Sequence, residues 1–207
     1  RSLDAGAVVA CEDPCYPGAR MAFAGSGATV VPVRMNNDGP DPESLAAIAR
    51  PGAVAALYCC PTYGNPSGYS WAEEARQGVM EAASTGDFLI IEDDYLGDLD
   101  YLDEAPTRLA ALAPRFPKAR IAHIRTFSKC LLPALRIAGV SGDPALITRL
   151  VALKVADDLG CSAYLQRGLA RFIRLGLYHD NLERVRPHYR ERRALLRTAL
   201  AGIGPGV

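Results

Sequence analysis

Ala119-Arg120-Ile121-Ala122-His123-Ile124-Arg125, followed by Thr126-Phe127-Ser128-Lys129, is the stretch on which the reading of this chain turns. The first seven residues read as a β-strand, and the last four sit where that strand runs out. Of 23 basic residues only Lys118, Lys129 and Lys154 are lysines; the rest are arginines. Positive charge as such was built from arginine, so a lysine after two hydroxyl residues at a strand end is a candidate for chemistry. An amine can lose its proton and attack a carbonyl carbon to form a Schiff base, which a guanidinium cannot do.

Outward from this stretch, strand and helix signals alternate. Short apolar or β-branched runs at 7–11, 28–33, 54–60, 87–91 and 135–140 read as further strands. Between them, Asp41-Pro42-Glu43 carries a cap, a proline at the first turn and an acid, the signature of a helix start. Helices are also expected over 18–23 and, capped by Ser70, over 71–84. Beyond residue 140 the pattern turns helical: Pro144 to about Asp158, Ala163 to Gly176, and about Asp180 to Ala201, with Pro187 a place for a kink or a break. Strands apolar on both faces and alternating with helices predict an α/β fold, a mostly parallel sheet sandwiched by helices.

The totals narrow the function. In 207 residues, 49% are hydrophobic and the 23 basic and 23 acidic side chains balance. Zero net charge argues against a nucleic-acid or anionic-membrane partner for this segment. No apolar run reaches the ~18 residues of a membrane span. The arginines at 184, 186, 190, 192, 193 and 197, with Glu183 and Glu191 among them, read as a solvated helix face. Six cysteines and three histidines show no metal-ligand spacing, and Cys59-Cys60, adjacent on a strand, point to opposite faces. Reduced, mostly buried thiols and a cytoplasmic setting are expected. The chain starts at Arg1 without an initiator methionine, which suggests a piece of a longer polypeptide.

In an open parallel sheet, ligands bind at the carboxyl ends of the strands. Four such ends carry unusual residues: Asp13 to Tyr16, Gly64-Asn65-Pro66-Ser67-Gly68, Glu92-Asp93-Asp94-Tyr95, and Thr126 to Lys129. Each alone is also what a turn or a solvated loop looks like. Together they match the needs of pyridoxal 5'-phosphate (PLP): an amine for its aldehyde, a carboxylate for its ring nitrogen, donors for its phenolic oxygen, an aromatic lid, and hydroxyls with a cation for its phosphate. Lys129, Asp93, Tyr95 with Asn65, Tyr16, and Thr126 with Ser128 and Arg136 fill those places in turn.

The order Tyr16, Asn65-Pro66-Ser67-Gly68, Glu92-Asp93-Asp94-Tyr95, Thr126-Phe127-Ser128-Lys129, Arg136 resembles the class I/II aminotransferases, the fold-type I PLP enzymes. Within them, Leu99-Asp100-Tyr101 and the run Leu165 to Ile173 look like the aminotransferase-like domain of MocR-type, GntR-family transcriptional regulators. The resemblance implies an aspartate-aminotransferase-like large domain over 1–179, with 180–207 a helix leading to a small domain further on. It implies PLP held by Lys129 as catalytic residue, with Tyr16, Asn65, Asp93, Tyr95, Thr126, Ser128 and Arg136 as cofactor contacts and no metal. The activity implied is amino transfer between amino acids and 2-oxo acids, in a homodimer. The alternative is a sensor that binds PLP and an amino-compound effector without turnover, reaching DNA only through a winged-helix domain upstream. Two departures stand out: Cys130 replaces a usual threonine, and Gly139 lies one place from the usual glycine.

Overall fold

The computed structural model describes residues 6–100 and 105–202. Tyr101 and the first residues of the chain, which entered the sequence reading, lie outside the described residues. The first half lays down β1 (Val8–Asp13), α1 (Pro17–Gly25), β2 (Thr29–Asn36), β3 (Gly39–Pro40), α2 (Pro42–Ile48), β4 (Ala56–Cys59) and α3 (Glu73–Gly86). The second adds β5 (Leu89–Asp94), α4 (Leu109–Leu112), β6 (Arg120–Thr126), β7 (Ala138–Gly142), α5 (Pro144–Asp158), α6 (Ala163–Arg174) and α7 (Leu177–Ala201).

The strands form one sheet in the order β3-β2-β1-β4-β5-β6-β7. The five inner strands are mutually parallel, while β3 and β7 join the edges antiparallel. The expected α/β architecture is what the chain adopts, with those two edge strands making the sheet mixed. Strand order reverses direction between β1 and β4, so a crevice opens there at the carboxyl edge.

Period-two alternation sorts the strand side chains to two faces. Ala10, Leu57, Cys59 and Ile90 pack with Val79, Met80 and Ala83 of α3 and with Leu109 and Leu112 of α4. Val9, Cys11, Tyr58, Cys60 and Ile91 pack on the other face, against Ala19 and Phe23 of α1. Cys59 and Cys60 therefore do face opposite ways. On this second face α5 stands across from α1, and a groove of about 500 Å3 runs between them. A third apolar cluster, Leu99, Cys130, Tyr178 and Leu182 with Phe127 and Phe172, fastens α6 and the first turns of α7 to the loops after β5 and β6.

Three elements differ from the sequence reading. The helix expected from Trp71 under a Ser70 cap begins at Glu73, with Ala72 at the cap position and no side-chain cap. Ser70 is otherwise engaged: its Oγ accepts from the Tyr63 amide at 3.1 Å, and the Trp71 amide donates to the Pro61 carbonyl at 2.9 Å. Both residues close the loop before the helix instead of opening the helix. The last strand, expected over 135–140, is Ala138–Gly142, because Pro133–Leu135 form a 3-10 turn that ends with Arg136 at φ +50°, incompatible with extended backbone. Finally α7 continues as one helix through Pro187, so of the two outcomes expected there the break does not occur.

Candidate functional site

β4, β5 and β6 are neighbours and parallel, with Cys59 paired to Glu92 and Asp94 to Arg125. Their carboxyl ends therefore share one edge, beside the β1/β4 crevice, and that edge carries Asn65, Asp93, Tyr95, Thr126, Ser128 and Lys129. Asn65, Asp93, Tyr95, Thr126 and Ser128 are partly buried, whereas Tyr16, Lys129 and Arg136 are exposed. Among the described residues, the side chains of Lys129 and Arg136 make no hydrogen bond or ion pair; the Arg136 amide donates to the Pro133 carbonyl at 3.4 Å.

Each strand end is held by its own bonds. Tyr16 opens α1, and its ring lies so close over Gly18 that a Cβ there would come to 2.5 Å from it, so glycine is what leaves room for the ring at the helix start. The loop after β4 is tied by Gly64 N–H to the Tyr69 carbonyl (2.8 Å) and Gly68 N–H to the Gly64 carbonyl (2.6 Å). Arg76, 1% exposed, reaches back from α3 and donates to the carbonyls of Pro61 (2.7 Å), Trp71 (3.1 Å) and Thr107 (2.8 Å). A buried cation spending its donors on main-chain carbonyls fixes the base of the loop that carries Asn65. After β6, the Ser128 amide donates to Thr126 Oγ1 at 3.2 Å, curling the chain into the turn of Lys129.

The carboxylates of Glu92-Asp93-Asp94 divide by face. Glu92 is buried and accepts from the Leu109 and Ala110 amides at 2.7 and 2.9 Å, so it caps α4. Burial works against ionising Asp94, but His123 and Arg108 outweigh it and hold its carboxyl below the usual range. Asp93, on the opposite face, is pushed up by burial and only partly relieved by the Tyr58 hydroxyl, which donates to Oδ2 at 2.6 Å. Its Oδ1 has no hydrogen-bond partner among the described residues and is not enclosed. One oxygen is held and the other is open, the condition a carboxylate needs to receive the N–H of a protonated ring. The donor set thus fits a PLP ring at this edge. The Tyr95 hydroxyl, 2.7 Å from the Tyr63 carbonyl, donates there.

Three groups of this edge escaped the sequence reading: Tyr58, Glu12 and Arg76. Glu12 is 5% exposed at the end of β1 and accepts from the Cys60 amide at 3.1 Å. Burial lifts its carboxyl to about 7; the Cys60 amide and the Trp71 indole oppose the rise, and the nearby Asp93 adds to it. A polar residue closing an apolar strand, and a tyrosine two residues from the strand end, were the visible signals. The raised Glu12 carboxyl has a stability consequence. Between about 4.5 and about 7 the native chain keeps a proton that the unfolded chain has lost, so stability falls as pH rises through that window. Glu12→Gln is expected to remove on the order of 3 kcal/mol of that fall, read as the difference between urea unfolding of the two proteins across the pH series.

The family described as aspartate amino-transferase matches residues 6–124. The HTH-type transcriptional regulator TauR of Rhodobacter capsulatus is 32% identical over 98% of this chain and 40% of its own length. Among solved structures, Pyrococcus horikoshii kynurenine aminotransferase, in complex with PMP, superposes with a TM-score of 0.90 at 28% identity, over 99% of this chain and 51% of that one. LysN, the alpha-aminoadipate aminotransferase of Thermus thermophilus, complexed with N-(5'-phosphopyridoxyl)-L-leucine, gives 0.89 at 29% identity, over 98% and 52%. The chain spans about half the length, or less, of these relatives. No described helix is long and apolar enough to cross a membrane, and no group of metal-ligating side chains occurs among the described residues.

Proposed function

Because the chain belongs to the aspartate amino-transferase family, we propose that it is the PLP-holding part of a protein that moves amino groups between amino acids and 2-oxo acids, with Lys129 as its catalytic amine. The observation that carries this reading is the half-buried Asp93, one oxygen held and one open, on the sheet edge that also bears Asn65, Tyr95 and the Thr126 to Lys129 turn.

When bound, PLP supplies a reactive carbonyl and a ring that draws electrons away from the carbon beside the substrate amine. The chain's own residues do the rest. Asp93 Oδ1 holds a proton on the ring nitrogen, which keeps the ring electron-poor. Asn65 donates to the phenolic oxygen, and the Tyr95 hydroxyl joins it by swinging its proton away from the Tyr63 carbonyl. Tyr16 would offer its ring to the face of the heterocycle. Thr126 and Ser128 offer hydroxyls to the phosphate, and Arg136, with no competing ion pair among the described residues, offers its planar fork. Lys129 Nζ would hold the cofactor through its carbonyl and would be the group that carries a proton to and from the substrate carbon. The family reading also brings a homodimer and a cytoplasmic setting.

The likeness to TauR favours a second reading, in which PLP and an amino compound bind here to shift a DNA-binding domain between states without turnover. One experiment separates the two. The full-length protein, loaded with PLP, is mixed with a panel of amino acids and 2-oxoglutarate. Glutamate formed in many equivalents per site is the expected result. One equivalent of spectral change with no glutamate overturns the enzyme reading in favour of the sensor.

A further inference from the structure

Tyr58 lies on β4, 4% exposed, in a stretch of strand that is otherwise apolar. A buried hydroxyl costs free energy unless it is bonded, and phenylalanine would fill the same space without that cost. The Tyr58 ring is fixed edge-on against Phe23 of α1, with centroids 5.9 Å apart and planes at 65°. β4 and β5 pair Tyr58 with Ile91, so Asp93 is the next residue on the same face of the neighbouring strand, and the Tyr58 hydroxyl reaches Oδ2 at 2.6 Å. Its other neighbour is Cys60 Sγ at 3.5 Å. A phenol has a single proton. With that proton on the carboxylate, the thiol is the donor to the phenol oxygen, and the direction of the chain is set: Cys60 to Tyr58 to Asp93. Cys60 is itself placed by the bond from its amide to Glu12 Oε2, 3.1 Å, on the neighbouring strand β1.

We infer that Tyr58 is a positioning residue: its hydroxyl pins one oxygen of Asp93, fixes the plane of the carboxylate, and aims the other oxygen at a ring N–H. This rests on the reading of Asp93 as the partner of the PLP ring nitrogen. A lone carboxylate can turn about its terminal bond and present either oxygen, or take up a proton as burial favours. One short charge-assisted bond removes both freedoms. In line with this, Tyr58 is the main group that opposes the effect of burial on Asp93.

The test uses full-length protein loaded with PLP labelled with 15N in the ring, compared with Tyr58→Phe, which keeps the ring packing against Phe23. The native protein is expected to hold the ring nitrogen protonated across the neutral range. Tyr58→Phe is expected to move the 15N resonance towards that of unprotonated pyridine and to raise the PLP dissociation constant about tenfold. A loaded, folded Tyr58→Phe with an unchanged 15N resonance overturns the inference and leaves the proposed function standing. Failure of that variant to fold also overturns it, because the hydroxyl would then serve the fold rather than the carboxylate. Native protein that binds no PLP sinks the underlying reading instead.

Discussion

Lys129→Ala is expected to abolish the visible absorption band that borohydride bleaches in the PLP-loaded native protein, and all amine turnover with it. The same substitution leaves stability within about 0.5 kcal/mol, because the side chain is exposed and makes no bond among the described residues. That separation is what a chemical lysine shows and a structural one does not. The other two lysines are poor rivals. Lys118 precedes β6 and so lies at the amino end of the strand, away from the site edge. Lys154 is tied to Asp158 at 2.5 Å on the exposed helix α5. Peptide mapping of borohydride-reduced protein checks the assignment directly: a label on any lysine but Lys129, or a band that survives in the variant, overturns it.

What the sequence made legible follows from range. Helix α5 is readable because its signals are local: Asp143 accepts from the Ala145 and Leu146 amides, Pro144 starts the helix, and Gly160 follows its end. The inner strands are readable because they are apolar on both faces. Ser70 failed as a cap for a reason that is not local: its hydroxyl is claimed by Tyr63, seven residues back, in a loop whose closure no propensity encodes. Arg136 likewise sits in a left-handed conformation that nothing in Leu135-Arg136-Ile137 announces.

The candidate site divides the same way. Asp93, Asn65 and the Thr126 to Lys129 turn could be placed on one edge, because strand ends in a parallel sheet share it. Their support could not. Tyr58 meets Asp93, and Glu12 meets the Cys60 amide, across strands, so both bonds depend on register, and register emerges only when the sheet assembles. Arg76 lies further off still, a cation from α3 whose partners are carbonyls spread from Pro61 to Thr107. Sequence motifs mark the groups that meet a ligand; the groups that hold those in place are dispersed and chemically ordinary.

Asp93→Asn is expected to weaken PLP binding about 10- to 100-fold and to cut any turnover about a hundredfold or more, while the cofactor-free protein becomes no less stable. The amide keeps the shape of the carboxylate and still accepts from the Tyr58 hydroxyl through its oxygen. It cannot hold a proton on the ring nitrogen, so the loss falls on the cofactor. The stability side has a definite sign. Burial raises the Asp93 carboxyl above its unfolded value, so above that raised value the native state carries a desolvated charge that the unfolded chain keeps in water. Removing the charge relieves that cost at neutral pH, and the relief vanishes in acid, where the carboxyl is protonated in both states. Cofactor-free melting temperatures of the two proteins at neutral and acid pH, set against PLP titrations, make the comparison. A variant that melts earlier and binds PLP as tightly as the native protein would mean that Asp93 serves the sheet and not the ring. A site residue held at a cost to the fold is the opposite case, and the open Oδ1 beside a pinned Oδ2 is the geometry that such a cost maintains.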